Sequence, residues 1–163
     1  MRSRRGRSPV RVVVVTGANL SPMTDTPRTY PSTAAEWTEA SRGTLLERMG
    51  IVLEHVAAEL TTGTMPVEGN TQPAGLLHGG ASVVLAETLG SVAAQQYAGP
   101  DRAAVGIEVN ATHHRAVRSG TVRGEARALH LGRTTAAYEI VVTDERERRV
   151  CTARLTCMVL RTA

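Results

Sequence analysis

The chain has 163 residues, a length that favours a single domain with enough core to fold unaided. Hydrophobic residues make up 42% of it and charged residues 21%, as in an ordinary globular protein. The net charge of +4 is carried by arginine alone, because the sequence contains no lysine. Guanidinium groups suit phosphates, so a phosphate-bearing ligand and a nucleic acid both stay open at this point. One Trp, three Tyr and no Phe leave the core to aliphatic side chains.

The two cysteines bear on the redox compartment. Cys151 and Cys157 lie six residues apart in a strand-like segment, which separates them by roughly 20 Å at about 3.3 Å per residue. They cannot form a disulfide with each other in an intact strand. We therefore expect a reduced, cytoplasmic protein.

The N-terminal residues, MRSRRGRSPVRVVVVTGANLSP, differ in composition from the rest of the chain. The arginine cluster and the valine run suggest a secretory or twin-arginine signal, but the apolar run is shorter than an h-region of about 7 to 15 residues. We expect residues 1–32 to form a disordered extension, with Met23 as an alternative start, and residues 33–163 to form the functional domain. The structural alternative is an extra edge strand over residues 10–15.

Residues 33–67 predict one helix followed by two strands. The stretch TAAEWTEASRGTLLERMG has helical spacing, with Thr33 as the N-cap and Gly50 as the stop. Residues 51–56 and 59–67 then predict two strands joined by a short turn near Ala57.

The stretch TQPAGLLHGGASVVLAETLGS, residues 71–91, places one carboxylate, Glu87, inside an apolar run. Apolar residues on every side predict a buried helix that starts near Gly79 and is shorter than the about 20 apolar residues of a membrane span. Glu87 is then expected inside the protein, where an unpaired ionised carboxylate costs several kcal/mol. Ser91 projects from the same helical face, and the helix start lies roughly two turns back.

This arrangement has a chemical and a structural interpretation. The N–H groups and the dipole at a helix start form a positive pocket for an oxyanion or a polarised carbonyl. A carboxylate across that pocket can attack the carbonyl or take a proton from water. Alternatively, Glu87 is a buried acid held by a structural serine or a backbone partner. Gln72, His78 and Glu87 in one short segment favour the chemical interpretation.

Four further strands are predicted after a break at Gly99 and Pro100. They cover residues 104–117, 121–131, 134–143 and 149–160, with turns at 119–120, 132–133 and 144–148. Strands in series joined by tight turns form an antiparallel sheet, and the single buried helix is what that sheet wraps. The expected fold class is α+β.

Three stretches carry a resemblance to a known family. The sequences MPVEGNTQPAGLLHGGASVVLAETLGS, VGIEVNATHHRAVRSGTVRGEARALHLGRTTAAYEIVVTDE and CTARLTCMVL resemble the hotdog-fold acyl-CoA thioesterases over roughly residues 45–160. The similarity is greatest to the branch that holds the 1,4-dihydroxy-2-naphthoyl-CoA hydrolase, the enterobactin-pathway proofreading thioesterase and the phenylacetate-pathway thioesterase. The resemblance implies a hotdog fold and hydrolysis of an acyl-CoA, with an aromatic acyl group in keeping with the branch.

The resemblance also implies roles for individual residues. Glu87 matches the catalytic carboxylate, acting as nucleophile or as general base on water. Gly79 matches the residue whose N–H polarises the thioester carbonyl, and Gln72 and His78 match residues that line and orient the site. Ser91 matches the hydroxyl that helps to hold the water.

The family's assembly implies that the active site requires two subunits. Antiparallel central helices of a homodimer would bring Glu87 of one subunit to the helix start of the other, and two dimers are expected to form a homotetramer. The CoA arm is expected against two stretches, NATHHR and HLGRT, through His113, Arg115, His130, Gly132 and Arg133. Ala74 stands where the branch commonly has an aromatic residue, so the wall that meets the acyl group is expected to differ here.

The same residues bear on three other functions. A hotdog hydroxyacyl-thioester dehydratase uses a different arrangement of His and acid, and the Gln-Pro and His-Gly-Gly elements argue against it. A non-catalytic acyl-CoA binder or an arginine-rich nucleic-acid binder is disfavoured by Glu87 and by scarce aromatic residues. His113 and His114 point to opposite faces of a strand, so no metal site is expected. No cofactor, nucleic acid or membrane partner is expected besides the acyl-CoA substrate.

Overall fold

The computed structural model describes residues 30–161. Of the extension expected over residues 1–32, residues 30–32 lie inside this range, and the Pro31 carbonyl accepts from the Gln96 side chain at 2.8 Å. The expectations for residues 1–29, including the alternative start and the extra strand, lie outside it. The elements in chain order are α1 (Ala34–Ala40), α2 (Leu45–Arg48), β1 (Val52–Val56), β2 (Leu60–Pro66), α3 (Gly79–Ala98), β3 (Arg102–His113), β4 (Thr121–Leu131), β5 (Thr135–Asp144) and β6 (Arg149–Arg161).

The N-terminal helical segment is two short helices, so the prediction of one continuous helix was wrong. The start at Thr33 is confirmed: its hydroxyl accepts from the Glu36 N–H, and the Glu36 side chain accepts from the Thr33 N–H in return. The helix ends at Ser41 because Gly43 takes a left-handed conformation with φ of 73°. The predicted stop at Gly50 is confirmed, with φ of 66°.

The strands form one antiparallel sheet in the order β1-β2-β4-β5-β6-β3. All six predicted strands are present, but two details of the prediction were wrong. The strand predicted over 104–117 ends at His113, and β3 pairs with β6 instead of forming a hairpin with β4. Residues 114–120 therefore cross between an edge strand and an interior strand. Hydrophobic alternation predicts a strand but not its neighbour, which explains the error.

Helix α3 lies on the inner face of this sheet, as predicted, and contacts every strand. The face that it turns to the sheet carries Leu85, Leu89 and Ala93, all fully buried. Gly90 allows a close approach, because a Cβ there would lie 2.6 Å from Cδ2 of Leu155. No helix within residues 30–161 is long and apolar enough to cross a membrane.

Strand β3 is an edge strand with exposed apolar side chains. Val105 and Ile107 expose 44% and 54% of their surface, and the β3 register with β6 shifts between Gly106 and Glu108. Unpaired edge groups readily pair with another strand. On β6, the neighbour of this edge strand, Cys151 and Cys157 are both buried and unpaired, which confirms that they do not form a disulfide with each other.

Asp144 closes the turn between β5 and β6, and this turn yields a prediction about acid stability. Its Oδ1 accepts from the N–H groups of Arg146 and Arg148 at 3.0 Å, and its Oδ2 accepts from the Arg148 guanidinium at 2.9 Å. The Arg148 side chain, followed by the backbone donors, lowers the pKa of Asp144 from 3.8 to about 2. A carboxylate whose pKa is depressed by folding contributes stability above its unfolded pKa, and this contribution is lost as the pH falls through the folded pKa.

We expect Asp144→Asn to lower Tm at neutral pH, with the difference from wild type shrinking between about pH 4 and about pH 2. Thermal unfolding across this pH series measures the effect. Glu147→Gln, at the exposed tip of the same turn, is the control and is expected to follow the wild-type curve. A Tm difference that stays constant with pH would show that the charge of Asp144 does not stabilise the turn.

Candidate active site

The start of α3 is built by its N-cap, His78. This residue has extended backbone angles (φ −67°, ψ 132°), and its Nδ1 accepts from the Gly80 N–H at 2.8 Å. Because Nδ1 accepts, the neutral ring carries its proton on Nε2 and can donate it to a ligand. The sequence predicted a site role for His78 but not its role as the helix cap.

The loop that precedes α3 is held at both ends. The Asn70 side-chain amide donates to two backbone carbonyls outside the loop, at 2.8 and 2.9 Å, and the Leu77 N–H donates to a carbonyl after β3 at 2.7 Å. Within the loop, the Gln72 Oε1 accepts from the Ala74 N–H at 2.6 Å. The Gln72 Nε2 is therefore the end of that side chain left to contact a ligand.

Gln72 and Gly79 line one cavity of about 390 Å³, the helix-start cavity, together with His113 and Arg115. A Cβ on Gly79 would lie 2.9 Å from Nε2 of His113, so glycine lets the imidazole approach the first turn of the helix. The first N–H groups of a helix lack intrahelical acceptors and carry the positive end of its dipole. The cavity thus combines backbone N–H groups, an amide, an imidazole and a guanidinium, which suits a polarised carbonyl or an anion.

Glu87 is exposed in the single chain, so the expectation that it lies inside the protein was wrong at this level. Leu85 and Leu89, two positions before and after Glu87, are fully buried and face the sheet. Val84, Glu87 and Ser91 lie on the opposite side of the helix and are less buried. The apolar pattern alone cannot tell which face the chain's own sheet covers. Ala94, which helical spacing places on the same stripe as Glu87 seven positions further along, is fully buried.

Glu87 lines a second cavity of about 420 Å³, the carboxylate cavity. Its other lining residues come from the N-terminal segment, from α3 and from β3: Tyr30, Trp37, Leu45, Leu46, Val84, Thr88, Ser91, Val92, Gln95 and Ala104. The edge strand is also close, since a Cβ on Gly106 would lie 3.9 Å from Oε1 of Glu87. Trp37 and Leu45 were not predicted as site residues. Two features of the sequence could have indicated them: Trp37 is the one tryptophan of the chain, and Leu45 belongs to the apolar face of α2.

Ser91 and Cys157 lie close to the carboxylate. Burial, followed by the negative charge of Glu87, raises the pKa of the Cys157 thiol to about 11, while a hydrogen bond with the Ser91 hydroxyl acts in the opposite direction. The thiol is therefore protonated at neutral pH and not a nucleophile. Of these two groups, Glu87 is therefore the candidate nucleophile or base.

Glu87 and Gly79 of one chain do not lie in the same site. They line different cavities and are eight positions apart on one helix, which amounts to about 12 Å at 1.5 Å per residue. A thioester carbonyl bound at Gly79 is thus out of reach of the Glu87 of the same chain, because attack needs the reacting atoms about 3 to 3.5 Å apart.

The residues expected at the CoA arm fall in two places. His113 and Arg115 line the helix-start cavity, whereas His130, Gly132 and Arg133 lie at the β4–β5 turn. That turn is near the other end of α3, because the Tyr97 hydroxyl donates to the Gly132 carbonyl at 3.2 Å.

Two other assignments concern single side chains. Ala74 is exposed and lines neither cavity, so its contact with an acyl group stays a prediction. Within residues 30–161, no group of three or more His, Cys, Asp or Glu side chains is placed to hold a metal ion.

A long helix on a six-stranded antiparallel sheet, with a carboxylate midway along it, defines the hotdog fold of acyl-thioester enzymes. The model of the thioesterase superfamily matches residues 74–151. The proofreading thioesterase EntH of Klebsiella pneumoniae is 51% identical over 129 residues, covering 78% of this chain and 94% of the relative. The EntH of Cronobacter sakazakii is 50% identical, covering 74% of this chain and 88% of the relative.

Solved structures agree with the sequence relatives. Thioesterase HI1161 from Haemophilus influenzae superposes with a TM-score of 0.76 at 34% identity, covering 83% of this chain and 94% of that one. A variant of thioesterase PA1618 from Pseudomonas aeruginosa gives a TM-score of 0.74 at 40% identity, covering 83% and 98%. The chain belongs to the thioesterase superfamily and is a thioester hydrolase with the hotdog fold.

Proposed function

We propose that the protein hydrolyses an aromatic acyl-CoA at a site shared by two subunits, with Glu87 from one and Gln72, His78 and Gly79 from the other. The observation that carries this proposal is the separation of the carboxylate cavity from the helix-start cavity along α3. If two copies of α3 pack antiparallel, each Glu87 faces the helix start of the other copy. The carboxylate and the helix-start N–H groups that meet then come from different chains. The relatives named as proofreading thioesterases support a thioester as the substrate.

The chemistry follows from the groups in the two cavities and from His78, the exposed N-cap next to Gly79. The Gly79 N–H, at the positive end of α3, donates to the thioester oxygen as negative charge develops on it, and Gln72 Nε2 and His78 Nε2 are the further donors. Glu87 either attacks the carbonyl carbon or removes a proton from the water that attacks it, with Ser91 holding that water. If Glu87 attacks, the C–S bond breaks to leave an acyl–Glu87 anhydride, which water then hydrolyses to the free acid; if Glu87 acts as base, the water adds to the carbonyl and the C–S bond breaks directly to give the free acid. In both routes the sulfur of CoA takes up a proton and leaves as the thiol. No cofactor takes part besides the CoA carried by the substrate.

The edge strand β3 is the proposed pairing surface of the homodimer. Its exposed Val105 and Ile107 would be covered, and its unpaired backbone groups would find partners in a second β3. In that arrangement the β4–β5 turn of one subunit, with His130 and Arg133, approaches the helix-start cavity of the other. The residues expected to bind CoA at the helix-start cavity and those at the β4–β5 turn then lie close together. The proposed assembly is a dimer of such dimers. The unpaired buried thiols fit a cytoplasmic location.

A thiol-release assay across benzoyl-, phenylacetyl-, 2-naphthoyl- and octanoyl-CoA tests the proposed substrate class. We expect the highest kcat/KM for an aryl thioester, and a lower value for the same acyl group on an acyl-carrier protein. A preference for octanoyl-CoA over every aryl substrate would refute the aromatic assignment while leaving thioester hydrolysis intact.

A further inference from the structure

The N-terminal helices α1 and α2 close one side of the carboxylate cavity, and this wall bears on substrate choice. We infer that Trp37 and Leu45 determine specificity by contacting the acyl group, and that Trp37 selects a planar aromatic one. The inference deepens the proposed function and rests on it. It gives a role in substrate choice to α1 and α2, which lie outside the stretch from Gln72 to Ser91.

The distribution of aromatic side chains is the first observation. The whole chain has one Trp, three Tyr and no Phe. Two of these four, Trp37 and Tyr30, line the cavity that contains Glu87. A sequence that builds its core almost without aromatic rings therefore places its largest ring beside the carboxylate. Aromatic rings prefer offset-stacked or edge-to-face contacts with other rings, which a flat acyl group can supply.

The state of the Trp37 indole is the second observation. Its Nε1–H is buried and has no acceptor among residues 30–161. A buried tryptophan N–H usually finds a partner, so no hydrogen bond within this part of the chain explains a tryptophan here. The flat surface of the ring is what remains to explain it, and that surface adjoins the cavity.

Leu45 and its neighbours supply the third observation. Leu45 is 52% exposed although it lines the same cavity, and Val84, which also lines it, is only half-buried. The Gln95 amide at the far wall is already engaged, because its Oε1 accepts from the Ala104 N–H at 3.0 Å and its Nε2 donates to the Arg102 carbonyl at 3.0 Å. The cavity thus offers apolar surface next to a reactive carboxylate, which suits an apolar acyl group whose carbonyl end meets Glu87. Its 420 Å³ lies within the range of about 300 to 1,000 Å³ typical of small-molecule sites.

The N-terminal wall is held in place by its own contacts. The Gln96 Nε2 on α3 donates to the Pro31 carbonyl at 2.8 Å, and the Ser41 hydroxyl donates to the Trp37 carbonyl at 2.7 Å. A wall fixed in this way can exclude acyl groups by shape, because overpacking of a fixed surface is costly.

The test measures kcat/KM for benzoyl-, 2-naphthoyl- and octanoyl-CoA in wild type, Trp37→Ala, Trp37→Phe and Leu45→Phe. We expect Trp37→Ala to lower the ratio of benzoyl to octanoyl activity about tenfold, and Trp37→Phe to restore most of it by returning a ring. Leu45→Phe is expected to lower 2-naphthoyl relative to benzoyl activity about tenfold by narrowing the cavity. Leu160→Phe, the same change at a leucine 42% exposed on β6, is the matched control and is expected to keep the wild-type ratios.

The outcomes separate this inference from the proposed function. If wild type hydrolyses the aryl-CoAs but the variants change every substrate by the same factor, Trp37 and Leu45 do not contact the acyl group and the inference is wrong. If wild type hydrolyses no acyl-CoA, the proposed function fails instead. Should Trp37→Ala not fold, Trp37→Phe and the exposed Leu45→Phe decide the result, since unchanged ratios in both overturn the inference.

Discussion

Replacing Glu87 by Gln is expected to lower acyl-CoA hydrolysis by about a thousandfold, because a positioned general base contributes about 10² to 10⁴ in rate. Glutamine keeps the shape of the side chain but can neither attack a carbonyl nor accept a proton from water. The fold is expected to tolerate the change, since Glu87 is exposed in the single chain and forms no ion pair with another residue of 30–161. The measurements are steady-state turnover and Tm.

The control for this substitution is Glu139→Gln, at an exposed carboxylate on β5. It is expected to leave turnover unchanged, so a loss confined to Glu87→Gln reports on the site and not on net charge. Turnover of Glu87→Gln within a fewfold of wild type would remove Glu87 from the catalytic step. The chemistry would then have to be carried by another group of the two cavities.

Secondary structure was the most predictable part of this molecule. The capping pattern at Thr33, the glycine stop at Gly50 and the break at Gly99 each reflect a local backbone requirement, and each is confirmed. Local rules also placed the ends of β4 at Thr121 and Leu131. The order of strands was less accessible, because the pairing of β3 with β6 depends on contacts between residues about 50 positions apart, which no local pattern encodes.

The candidate site was predicted in its chemistry but not in its surroundings. Gln72, Gly79 and Glu87 fall in one short stretch, so their types and spacing were visible in the sequence. The exposure of Glu87 was not, because an apolar helix is compatible with burial by its own sheet or by a second copy of the chain. Trp37 and Leu45 lie far away in sequence, and only folding brings them beside the carboxylate. Tertiary packing therefore supplies the features of the site that the sequence did not predict.

Mixing two inactive variants is expected to restore activity, because the proposed active site draws residues from both subunits. In a dimer of one Glu87→Gln chain and one Gln72→Ala chain, one site carries both defects and the other carries neither. If chains assort at random, half the dimers are mixed and the mixture recovers about a quarter of wild-type turnover. Co-refolding the two variants at equal concentration and assaying benzoyl-CoA hydrolysis measures this recovery.

The matched control for subunit mixing pairs Glu87→Gln with Ser91→Ala, whose side chains line the same cavity. Mixed dimers of these two variants have one defect in each site, so their activity is expected not to exceed the average of the two parents. Recovery in the first pair but not in the second locates Gln72 and Glu87 of each site on different chains. If neither pair recovers, although tagged chains co-purify as mixed dimers, the site lies within one subunit. α3 would then have to bend or shift to close the distance of about 12 Å between Gly79 and Glu87.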